Sequence, residues 1–66
     1  MNLYEKGCFI KLKKGEIWLI EDVKENFVYI VNVKTDEKDV LTMATLDLLV
    51  LNREIKIYCA DYEVNE

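Results

Sequence analysis

Apolar and polar residues alternate from Cys8 to Lys13. Cys8, Ile10 and Leu12 fall on one side, and Lys11 and Lys13 on the other. This period of two predicts a strand with a polar outer side, interrupted only by Phe9. Lys14-Gly15 reads as a turn, because glycine accepts the positive φ that tight turns need. Glu16 to Val23 predicts a second strand, whose centre, Ile17-Trp18-Leu19-Ile20, is apolar on both sides. The pattern therefore leaves open whether Ile17 and Leu19 or Trp18 and Ile20 face the core. Asp22 to Asn26 reads as a polar loop, with Asn26 the residue best suited to a left-handed conformation. Phe27 to Val33 is β-branched or aromatic almost throughout and predicts a third strand, paired with the second as a hairpin. Lys34 to Lys38 forms a charged turn, and Val40 to Met43 a short fourth strand.

The period changes after Thr45. Leu46, Leu49 and Val50 stand at i, i+3 and i+4, which predicts a two-turn helix over 45–51. Thr45 is its expected cap, Asp47 its first-turn acid and Asn52 its left-handed end. The competing reading makes Leu48–Leu51 a strand that turns at Asn52-Arg53, but a two-residue hairpin prefers a glycine that Arg53 does not supply. Glu54 to Ala60 predicts the last strand, with Ile55, Ile57 and Cys59 on one side and Lys56, Tyr58 and Ala60 on the other. An acidic tail, 61–66, follows.

The order β-β-β-β-α-β over 8–60 resembles a small SH3-like barrel. The likeness rests on Lys14-Gly15-Glu16-Ile17-Trp18-Leu19-Ile20, on Val28-Tyr29-Ile30-Val31-Asn32-Val33, and on the helix and strand through Ile57. It implies a mainly β fold: a five-stranded antiparallel barrel with one short helix before the last strand. The K/E/I/N/Y-rich, proline-free composition is similar to small accessory proteins of bacteriophages and mobile elements. A similar layout occurs in barrel domains attached to integrase-like transposases, whose catalytic acidic core has no counterpart here.

Sixty-six residues make one small domain, and 52% apolar with 33% charged residues is a globular mixture. A chain this short buries only about 60% of its unfolded surface, so support from a disulfide, a metal or a partner is expected. With no histidine and two cysteines 51 positions apart, a structural zinc site is not expected. The start lacks the apolar core of a secretory signal, and no run approaches a membrane span. A cytoplasmic setting is therefore expected, with Cys8 and Cys59 as free thiols; a Cys8–Cys59 disulfide is the alternative.

Catalytic chemistry finds little to work with. The chain has no histidine and no serine, so Ser/His and Cys/His pairs are excluded. Gly7 and Gly15 stand too far apart for a phosphate loop. Glu21 and Asp22, and Asp36, Glu37 and Asp39, are expected to be solvated carboxylates, and the second group lacks the glycine and distal glutamate of a calcium loop. No enzyme activity, cofactor or metal is expected.

Binding is the remaining class. The aromatic set is Tyr4, Phe9, Trp18, Phe27, Tyr29, Tyr58 and Tyr62, more than so small a core can bury. Trp18, Tyr29 and Tyr58 are the candidate partner-binding aromatics. The expected function is a non-catalytic module that binds and modulates or inhibits a larger protein. Glu21, Asp22, Asp36, Glu37 and Asp39 could assist by mimicking nucleic acid, since the chain carries a net charge of −4. Two alternatives stand beside it. One is a nucleic-acid-binding barrel using Lys11, Lys13, Lys14 and the aromatics, which the negative net charge disfavours. The other is a homo-oligomer. Lys11 and Lys13 also suit a strand edge guarded against aggregation.

Overall fold

The computed structural model describes residues 4–59. Five antiparallel strands form one open sheet: β1 (Phe9–Leu12), β2 (Ile17–Lys24), β3 (Phe27–Asn32), β4 (Lys38–Thr42) and β5 (Ile55–Tyr58). One helix, α1 (Met43–Leu51), lies between β4 and β5. The strand order is β4-β3-β2-β1-β5. Among the described residues β4 and β5 do not pair, so closure into a barrel is not seen. Strand β1, expected as a guarded edge, instead lies between β2 and β5; the edges are β4 and β5.

Chain geometry accounts for the boundaries. Gly15 turns β1 into β2 at φ 111°. Strand β2 continues through Asp22-Val23-Lys24, where a polar loop was expected, because these residues pair with Tyr29, Val28 and Phe27. The turn shrinks to Glu25-Asn26, and Glu25, not Asn26, takes the left-handed φ of 53°. The β3–β4 turn is fastened by Asn32, whose buried side-chain oxygen accepts from the Lys34 and Thr35 amides at 2.8 and 3.0 Å.

The helix forms where periodicity places it but starts two residues early. Thr42, not Thr45, is the cap: its Oγ1 accepts from the Thr45 amide at 3.2 Å, and its hydroxyl donates to Thr45 Oγ1. Asp47 consequently sits beyond the first turn. At the other end, Asn52 has an ordinary φ of −84°, and Arg53 takes the left-handed φ of 62°. Leu46 is fully buried, with Leu49 and Val50 packed against the core, while Leu48 and Leu51 are exposed.

The core is Tyr4, Cys8, Ile10, Ile20, Val28, Ile30, Leu46 and Ile55. Trp18 and Ile20 therefore mark the inner face of β2, and Ile17 and Leu19 the outer one. A register shift between Ile20 and Asp22 leaves Glu21 as the extra residue of a bulge. The bulge reverses the alternation, so that Val23 packs inward while Asp22 and Lys24 pair on the outer side. Bulges also bend the strand that carries them, which favours a curved sheet.

Cys8 and Cys59 form a disulfide between the start of β1 and the residue following β5, with Cα atoms 4.3 Å apart. This corrects the expectation of free thiols. Antiparallel pairing of β1 with β5 brings the two inward-facing cysteines together, and the bond removes the free-thiol argument for a cytoplasmic setting. No helix among the described residues is long and apolar enough to cross a membrane.

Candidate functional site

Strand register sets out the outer face row by row. One row crosses all five strands: Tyr58, Phe9, Leu19, Val31 and Lys38 stand opposite one another in turn. Four of the five are apolar or aromatic; Leu19 stands at the centre, and Val31 beside it is buried. To one side, Ile17 and Val33 lie together, joined by a 3.1 Å backbone hydrogen bond, and both are exposed. To the other side, Tyr29 stands opposite Val40, and Phe27 opposite Thr42. Val40 is 46% exposed and Phe27 44%. Polar outer faces are usual for a half-buried antiparallel sheet, so this apolar surface is the structure's main departure from expectation.

Charge frames the surface in two ways. Around Tyr29 the charges are locally balanced. Lys24 pairs with Asp22 at 3.9 Å, Lys38 with Glu21 at 3.7 Å, and Lys24 Nζ lies 6.0 Å from the Tyr29 ring centre. Asp22 and Asp39 also accept from the amides of Val23 and Val40. Asp36 lies in the β3–β4 turn at φ 66°. On the β1–β5 half, Lys11 stands directly opposite Lys56.

The structure separates the three candidate aromatics. Tyr29 and Tyr58 lie on the outer face, on β3 and β5. Trp18 is half-buried on the inner face, opposite Ile10 and Asn32. There it lines a groove of about 510 Å³ with Leu12, Leu41 and Leu49, edged by Lys13, Lys14, Asp39 and Glu54. Lys14 borders this inner groove and not the depression that Lys11 and Lys13 share. Glu21, Asp22 and Asp39 are scattered over β2 and β4, with Asp36 and Glu37 in the turn before β4. No group of three acidic or cysteine side chains among the described residues is placed to hold a metal. Tyr62, Asp61, Glu63 and Glu66 lie outside the described residues.

Sequence reading did not find the apolar row. Its members occupy four different strands, and only register brings them together. Nor did it find Tyr4, which is buried and donates to Asp47 Oδ1 at 2.6 Å. Burial pushes the Tyr4 hydroxyl pKa well up, with the Asp47 hydrogen bond and charge acting in the same direction. No family model matches this chain, and neither a curated protein nor a solved structure does.

Proposed function

We propose that this protein is a non-catalytic binding module that docks a larger protein on the outer face of its sheet. The carrying observation is the exposure of Phe27, Val40, Ile17 and Val33 around the half-buried Leu19 and Tyr29. Apolar and aromatic side chains in such a cluster gain most by leaving water on contact, and aromatic residues recur as interface anchors. The flanking pairs Lys24–Asp22 and Lys38–Glu21 supply a polar rim. The apolar face, rather than acidic mimicry of nucleic acid, drives this docking, because Glu21 and Asp22 already have lysine partners.

Strand order and the helix between the last two strands support an SH3-like class for the fold. The composition supports an accessory role of the phage or mobile-element kind, with modulation or inhibition of the bound protein as the outcome. The test is capture from lysate of the source cell after nuclease treatment, comparing wild type with Val40→Asp. Val40 is exposed on an edge strand, so folding should be retained. The expected result is one protein partner that survives high salt and is lost with Val40→Asp. Equal capture by the variant overturns the assignment of this face.

A further inference from the structure

A second surface stands at the other half of the outer face and does not depend on the protein-docking reading. Lys11, Lys13, Arg53 and Lys56 line one depression of about 270 Å³ beside Tyr58, with Glu54 as its single carboxylate. Four of the chain's nine basic residues thus gather in one place on a protein whose net charge is −4. None of the four forms an ion pair with a described residue. Lys11 and Lys56 stand directly opposite each other across β1 and β5. Like charges in that relationship repel, and Glu54 is the one side chain of opposite sign among those lining the depression. The neighbouring row on the same face holds Phe9 opposite Tyr58, and Tyr58 is 47% exposed. Rows on one face lie about 6.8 Å apart along a strand. Cations and an exposed aromatic ring are therefore within a nucleotide's reach of each other.

From this we infer that the depression binds single-stranded nucleic acid. The lysines and Arg53 hold backbone phosphates, and Tyr58, supported by Phe9, stacks a base. A sheet surface that combines aromatic platforms with a basic track suits single strands, because any base offers a π face. Duplex recognition would need an element shaped for a groove, and this surface is a shallow depression on a sheet. The net negative charge of the whole chain limits non-specific adsorption but does not remove the local field, since screening confines interactions to about 10 Å at ordinary salt.

The test is fluorescence anisotropy with a labelled oligo(dT) of about a dozen nucleotides, titrated between roughly 50 and 200 mM salt. Binding is expected with a log–log salt slope of about −2 to −3, which Lys11→Ala/Lys56→Ala reduces by about one and a half. Tyr58→Ala should weaken binding about tenfold, and Lys34→Ala, in the β3–β4 turn and outside the depression, should leave it unchanged. Thermal midpoints of the variants confirm that each is folded. Absence of binding at the lowest salt overturns the proposal. So does equal binding of a heparin fragment together with an inert Tyr58→Ala, which would reveal a charge patch with no base recognition. Binding that appears only after Asp61, Glu63 and Glu66 are changed to their amides also overturns it, since the chain's own acidic end would then be the occupant.

Discussion

The Tyr4 hydroxyl donates to Asp47 Oδ1 at 2.6 Å, tying the segment before β1 to the middle of α1 across 43 positions of sequence. Tyr4 is buried and Asp47 exposed, so the bond fastens the helix at the margin of the core. Tyr4→Phe keeps the packing and removes the donor. The expected cost is about 1 kcal/mol near neutral pH, because Asp47 can be solvated once released. The pH dependence has a definite sign. The folded hydroxyl has its pKa raised above that of the unfolded chain, so its contribution is complete below about pH 10 and is lost as pH rises beyond it. Urea unfolding of both proteins from pH 7 upward should show the gap between them closing in the alkaline range. A constant gap contradicts this account.

The disulfide closes a loop of 51 positions in a chain with a small core. On the chain-entropy view a loop of that size contributes about 4 kcal/mol. Reductant should therefore lower the urea midpoint sharply, and Cys8→Ala/Cys59→Ala should behave like the reduced protein. An unchanged midpoint would mean that the sheet stands without the link.

Helix capping distinguishes two threonines. Thr42→Ala removes the oxygen that accepts the Thr45 amide and should cost about 1 kcal/mol. Thr45→Ala keeps its own amide bonded to Thr42 and should cost less. The reverse order, read from thermal midpoints, would restore Thr45 as the cap.

Within α1, burial separates two leucines. Leu46 is fully buried and Leu51 is 76% exposed. Leu46→Ala should cost about 3 kcal/mol and Leu51→Ala within about 0.5 kcal/mol. Similar losses at both sites would show that the exposed leucine is covered in solution, as it would be in an oligomer.

Much of the fold was legible because local periodicity and local structure agree. Alternation in Cys8–Lys13 and the β-branched and aromatic run Phe27–Val33 mark β1 and β3, and Leu46, Leu49 and Val50 mark the helix. Element ends were less legible, since they depend on which left-handed site the backbone selects. Glu25 and Arg53 take positive φ although Asn26 and Asn52 are the better intrinsic candidates. At Glu25 tertiary pairing outweighs that preference, because the β2–β3 register fixes where the turn begins. The inner face of β2 was not legible. Ile17-Trp18-Leu19-Ile20 is apolar on both sides, and the bulge at Glu21 reverses the alternation without a local signal. The candidate site depends on that choice. Trp18 and Tyr29 have similar sequence credentials, yet they lie on opposite faces of the sheet.

The central claim is that the Tyr29–Val40 side of the outer face meets a protein. A photo-crosslinking residue, p-benzoylphenylalanine, placed at Val40 and separately at Leu48 tests it most directly in living source cells. Both positions are exposed and apolar, but Leu48 lies on the helix. The account predicts one discrete, nuclease-resistant adduct from position 40 and none from position 48. An adduct from position 48 alone would place the docking surface on the helix and contradict it.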